Sequence, residues 1–278
     1  MTTRQLLVST WDWNPIIIGV CLVALLGYTE LRHRRMRARS GCFFAGVAVF
    51  FLTLASPVNF LAAGYLFSAH MLQHLLLLLV IPPLLLLGLP EWKSEGPRSR
   101  IHPFAAWLAG LSAMWIWHER SLCDVAATTQ IGRVIQIISL VVLGTLFWWP
   151  IVGPQMNRRL TPLLGIVYLF SACVGCTILG ILITFAPAGA VCPAFLHPLD
   201  QLGVLPLVQE QWGITPAKDQ QIGGLMMWVP ACGIYLSGVI VLLVRWYRPG
   251  ETVSAVPPAT ADEPAPTFSS PRITRRNA

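Results

Sequence analysis

Apolar residues in this chain do not alternate with polar ones. They run in blocks, at about 14–31, 41–57, 66–90, 103–118, 130–151, 161–187 and 221–246, separated by short polar or basic stretches. A helix rising 1.5 Å per residue needs about 20 residues to cross a hydrocarbon layer about 30 Å thick. The blocks have that length, whereas a membrane barrel shows alternating segments of about ten residues. The pattern therefore predicts an all-α polytopic membrane protein, a bundle of seven transmembrane helices. It divides the chain into an outer N-terminal segment 1–13, a seven-helix domain 14–248 and a tail 249–278. Basic LRHRRMRARS follows the first block instead of preceding it, so that block is expected to be a retained helix and not a cleaved leader. The tail is rich in Pro, Ser and Ala with little to bury, and is expected to be a disordered cytoplasmic segment.

Composition supports the membrane reading, with 55% hydrophobic and only 11% charged residues. Charge then orients the bundle, because Lys and Arg concentrate on the cytoplasmic side. With seven crossings, 15 of the 19 Lys and Arg fall on one side, leaving Arg4, Arg120, Arg133 and Lys218 on the other. This predicts the N-terminus outside and the C-terminus inside. The net charge of +7 reads as a topology signal and an attraction to anionic lipid. No basic patch is interleaved with aromatics, so nucleic-acid binding is excluded. Trp11, Trp13, Trp115 and Trp117 mark the outer interface and Trp148 and Trp149 the inner one.

That frame gathers the polar residues of the blocks into one outer layer. His70 and His74 stand near the outer start of the third helix and His118 closes the fourth. Arg133 and Gln136 enter the fifth, and Asp219 and Gln220 lead into the seventh, ahead of Met226 and Met227. Residues four apart share a helix face, so His70 and His74 can hold one ion together. The spacing matches the paired histidines of a zinc-protease helix, but Met71 stands where that motif has its Glu base, which argues against hydrolysis. Imidazole with thioether or thiolate suits copper, and Met226 and Met227 are the soft partners if the seventh helix packs nearby. The alternative is that the imidazoles hydrogen-bond to Gln136, Asp219 or backbone and glue helices together. Pro82 and Pro83 are expected to kink the third helix below them.

Two further pairs involve cysteine. Cys173 and Cys176 share a face of the sixth helix, either as a thiol pair able to pass Cu(I) or as small residues allowing close helix packing. Cys123 and Cys192 lie in outer loops 119–129 and 188–220, where an oxidising compartment permits a bridge between them.

HMLQH followed by PPLLLLG, then WHERSLCDVA, FWWPIVG and DQQIGGLMMWVP, in this order over about residues 14–246, resembles the CtaG family of caa(3)-type cytochrome c oxidase assembly factors. The resemblance implies a non-enzymatic role in maturing a haem–copper oxidase, with copper handled at the outer face of a bacterial plasma membrane. It also implies oxidase subunits and membrane lipid as partners. Carried over by motif position, His70, His74, His118 and Asp219 are the family's candidates, with Gln73 and Gln220 as motif neighbours. One departure stands out. Where the family's fifth helix repeats H-x-x-Q-H, this chain reads RVIQI: Gln136 is kept, but Arg133 and Ile137 replace the histidines. A cation there repels a metal ion unless a carboxylate such as Asp124 or Asp219 neutralises it. Cys123 and Cys192 stand where the family has tyrosines, as thiol ligands or as a bridge. Two other functions fit the histidines: a haem-binding electron carrier with His74 and His118 as axial ligands, and a transporter or scaffold in which they are structural.

Overall fold

The computed structural model describes residues 2–33, 40–92, 102–200 and 202–247, with no account of the side chains of residues 32 and 33. The tail predicted over 249–278 and most of the cations that orient the bundle lie outside the described residues. Among the described residues there is no β-strand. One compact unit covers Met1–Trp246.

Each apolar block forms a helix, and local chemistry sets most of the boundaries. A short α1 (Thr3–Ser9) opens with a capping box between Thr2 and Gln5. It is followed by α2 (Pro15–His33) and α3 (Ser40–Ala55), joined face to face by the stacked rings of Tyr28 and Phe43, 4.1 Å apart. The second block ends at Ala55 because Ser56 caps a separate helix, α4 (Pro57–Ala62), with Pro57 in its first turn. The third block is α5 (Phe67–Gly88), the most enclosed of the long helices. Next come α6 (Pro103–Trp117) and α7 (Arg120–Thr128), the latter capped by the Glu119 carboxylate, which accepts from the amides of Ser121 and Leu122. The predicted loop 119–129 is thus mostly helical. Thr129 caps α8 (Gln130–Val152), and α9 (Pro162–Phe185) and α10 (Pro216–Tyr247) complete the set. Between the last two, a 3-10 turn at Pro193–Phe195 and a π turn at Leu207–Gln211 occupy the predicted loop.

Four of these helices, α5, α8, α9 and α10, are long and apolar enough to cross a membrane, and three shorter apolar helices lie at Pro15–Leu31, Ser40–Ala55 and Pro103–Trp117. The expected break at Pro82 and Pro83 takes a different form. The helix absorbs the two missing amides in a five-residue π turn, Leu76–Val80, and continues as α-helix to Gly88. The widened turn presses the Leu78 carbonyl and the Pro82 ring onto α8 at Gly144, where a Cβ would stand 2.7 Å from the one and 2.9 Å from the other. Gly88 does the same for α3, where a Cβ would meet the Phe43 backbone at 2.4 Å. α5 is therefore locked between α3 and α8, and its first turns carry the imidazoles.

Candidate functional site

The position of α5 is set from a distance. Leu66, its N-cap residue, offers no side-chain cap. Asp219, in the first turns of α10, supplies one instead: its carboxylate accepts from the amides of Phe67 (2.6 Å) and Ser68 (3.0 Å). The neighbouring Gln220 serves the C-terminal end of α9 in the same way, donating to the carbonyls of Ala186 (2.8 Å) and Pro187 (3.1 Å) and accepting from the Gly189 amide (2.9 Å). One turn on, Gly223 lets α10 approach Phe67 and Met71, which a Cβ would meet at 2.5 and 3.0 Å. Asp219 and Gln220 are thus a clamp that joins three helices.

Gln73 fixes the other side of α5. Its amide donates to the Thr53 carbonyl and to Asn59 Oδ1, both at 3.0 Å, tying α5 to α3 and α4. With the helix so held, His70, Met71 and His74 point into the protein and are all buried, as is His118 at the end of α6. The rings of His70 and His74 lie 4.6 Å apart, and those of His74 and His118 meet edge to face at 5.1 Å. Phe195, from the 3-10 turn, covers His70 at 5.4 Å. It is held there by its neighbour Cys192, which is bridged to Cys123 of α7, and by Asp124, whose carboxylate accepts from the Ala194 amide at 3.0 Å.

Proton bookkeeping gives these groups their chemical character. His118 Nδ1 faces the Met114 carbonyl at 2.5 Å, and a carbonyl only accepts, so Nδ1 carries the proton. In the neutral ring Nε2 then presents a bare lone pair, and it meets Met71 Sδ, another acceptor, at 3.1 Å. Gln136 faces His70 Nε2 at 3.4 Å. It also interacts with His74, yet neither ring nitrogen of His74 has a partner of hydrogen-bonding geometry. Two bare donor atoms of soft or intermediate character therefore meet, the His118 nitrogen and the Met71 sulfur, and the His74 ring, whose nitrogens lack a hydrogen-bond partner, lies edge to face against His118. Among the described residues no three His, Cys, Asp or Glu side chains converge as a metal site. The set is complete only when the thioether is counted, a composition that suits a soft monovalent cation. A haem between His74 and His118 would have to part rings that already touch.

The model of the cytochrome c oxidase caa3 assembly factor family, Caa3_CtaG, matches residues 23–249. The chain belongs to this family. It is similar to an uncharacterised protein of Mycobacterium leprae, 23% identical over 279 residues that cover 88% of this chain and 41% of that protein. It is also similar to one of Mycobacterium bovis, 25% identical over 280 residues, covering 89% of this chain and 41% of the relative. The chain thus spans about two-fifths of the length of the curated relatives it matches. No solved structure matches it.

In this caa3 assembly-factor chain most of the predicted residues fall into two groups. His70, His74, His118, Met71 and Gln136 meet at the cluster, while Gln73, Asp124, Asp219 and Gln220 build the scaffold around it. The sulfur that meets an imidazole is Met71's. Met226 is half-buried and Met227 lies farther along α10, its carbonyl accepting from the Cys176 thiol at 2.7 Å. Arg133 is half-buried and close enough to His70 for its charge to be felt, and the two carboxylates considered as its neutralisers are engaged with backbone amides instead. Ile137 packs against the core. Cys173 faces Cys232 of α10, a partner that spacing within one helix does not reveal. Phe195 was equally hidden, because a loop phenylalanine carries no signal of the histidine it covers.

Proposed function

We propose that this chain assists assembly of a haem–copper terminal oxidase in a bacterial plasma membrane by handling copper, as cargo, at the outer face. The protein crosses the membrane seven times with its N-terminus outside and C-terminus inside, works beside oxidase subunits and lipid, and performs no catalysis of its own. The observation that carries the copper reading is the His118 Nε2 lone pair set against Met71 Sδ at 3.1 Å, with His74 unpartnered beside them. Two lone pairs facing each other repel unless a cation binds both, and with metal–nitrogen and metal–sulfur bonds of about 2.0 and 2.3 Å it does so from the side of the pair. His74, His118 and Met71 hold that cation and His70 borders it. Arg133 lowers the affinity of the whole site for any cation, and less for a monovalent one than for a divalent one.

The bridge supports the outer side of the membrane. Cys123–Cys192 sits at the same end as Phe195 and the imidazoles, and oxidising compartments are where such bridges persist. Familial membership supports the oxidase as client.

The test is Cu(I) loading of the purified full chain beside Met71→Leu and a His74→Ala/His118→Ala double variant. Leucine keeps the volume of Met71 at a cost below about 1.5 kcal/mol while removing the sulfur. Loss of Cu(I) affinity by about tenfold or more in both variants is expected, with the fold of Met71→Leu intact. Equal copper in all three proteins refutes the site. Oxidase activity in cells carrying the same variants tests the assembly role separately, and C-terminal fusions reporting cytoplasmic or external placement test the topology.

A further inference from the structure

Two thiols outside the imidazole cluster face each other across a helix boundary. Cys173 of α9 directs its S–H at Cys232 Sγ of α10, 2.8 Å away. That is closer than the about 3.5–4.0 Å at which carbon atoms pack, and longer than the about 2.05 Å of an S–S bond. The Thr177 hydroxyl donates to the Cys173 carbonyl at 2.9 Å and stands 3.0 Å from Cys232 Sγ, where it accepts from the Cys232 thiol. Cys176 is committed elsewhere, to the Met227 carbonyl. The pair in contact is therefore interhelical, not the C-x-x-C of one helix.

We infer that Cys173 and Cys232 form a membrane-embedded dithiol–disulfide couple that staples α9 to α10 and is oxidised from the lipid side. Charge decides against the competing use of the pair, a soft cation held by two thiolates. That complex leaves a net negative charge in an apolar layer, at a cost of several kcal/mol. Disulfide formation leaves none. Both S–H bonds break, one S–S bond forms, and two electrons and two protons pass to an acceptor of the quinone class, which leaves as the quinol.

The route to the pair is apolar. Cys232 is half-buried, and the residues around it on α10, Val229, Gly233 and Leu236, are exposed on the bundle surface, as are Val174 and Ile178 of α9. In a bilayer that surface meets acyl chains. An acceptor dissolved in lipid reaches the thiols there, and one dissolved in water does not.

The experiment uses the full chain, reduced and then placed in lipid nanodiscs containing a fully substituted, alkyl-tailed benzoquinone, beside nanodiscs treated with ferricyanide in the aqueous phase. Non-reducing peptide mapping is expected to recover a Cys173–Cys232 linked peptide with the quinone, together with an equal amount of quinol, and little of it with ferricyanide. The link persists in Cys176→Ser and disappears in Cys232→Ser. Recovery of both cysteines as alkylatable thiols in the quinone discs overturns the couple, as does a link to Cys176 in place of Cys173. Equal linking by ferricyanide overturns access from the lipid side.

Discussion

Replacing Asp219 tests how α5, and with it the imidazole cluster, is held in place. The carboxylate accepts two buried amides, at 2.6 and 3.0 Å, across a sequence separation of 151–152 residues, and no side chain next to α5 substitutes for it. Asp219→Ala leaves both amides buried without partners, at about 1–3 kcal/mol each, so a loss of about 2–6 kcal/mol is expected. Asp219→Asn returns one carbonyl oxygen to one amide and sets an NH2 group against the other, which recovers about half of that loss. Reversible unfolding in mixed micelles, followed by far-UV circular dichroism, reads the difference as a shift in the denaturing-detergent midpoint. His70 follows Phe67 by one helical turn, so Cu(I) affinity is expected to fall in the same order, wild type above Asn above Ala. An Ala variant within about 0.5 kcal/mol of wild type refutes the cap, because a surface substitution does no more than that. An Asn variant as unstable as Ala shows that charge, not the geometry of acceptance, holds the helix.

Other consequences are as direct. Gly144→Ala pushes a methyl group into the Leu78 carbonyl and the Pro82 ring, neither able to rotate away, and is expected to cost about 1–3 kcal/mol in the same unfolding assay. Gly233→Ala, on a helix position with open space around it, is expected to stabilise by up to about 1 kcal/mol. Cys123→Ser/Cys192→Ser opens a bridge that closes 69 residues, with an expected loss of about 4 kcal/mol and increased hydrogen exchange over 193–195. The Glu119 carboxyl is held below its ordinary pKa, chiefly by the Ser121 hydroxyl and then by the amides it caps. Its capping of α7 is therefore present at neutral pH and lost as pH falls through that lowered value. Glu119→Gln is expected to remove the acid-dependent part of exchange at 120–122 once intrinsic rates are corrected, and an unchanged pH profile refutes the assignment.

The helices were legible because their determinants are local: apolar length, a capping residue such as Ser56, Glu119 or Thr129 before a new start, and Pro in a first turn announce themselves within a few residues. Asp219 shows where this ends. Read along the chain it leads into an apolar block beside two glutamines, and only the fold reveals that its acceptors are spent on amides at Phe67 and Ser68. Met71 shows a second limit. On its own helix it points about 100° away from His70, which leaves it outside a two-histidine clamp, yet His118 arrives on a different helix from the direction Met71 faces. The cysteines repeat the lesson: spacing pairs Cys173 with Cys176, while packing gives each a partner on α10. The spacing of His70 and His74 was informative because both imidazoles sit on one helix, and that is the part of a cluster a sequence can display.

The bridge between Cys123 and Cys192 also sets an order of events in biosynthesis. Its two halves are separated by α8 and α9, so it cannot close until both helices have been synthesised and α7 and the 193–195 turn have met. Phe195 is thus a late-arriving cover over imidazoles carried by α5 and α6, which are made first. Until the bridge closes, no covalent bond holds the turn that carries Phe195 over His70. An ion that reaches the imidazoles before closure meets no tethered ring over His70; one that arrives afterwards has to pass an aromatic ring held by a covalent bond.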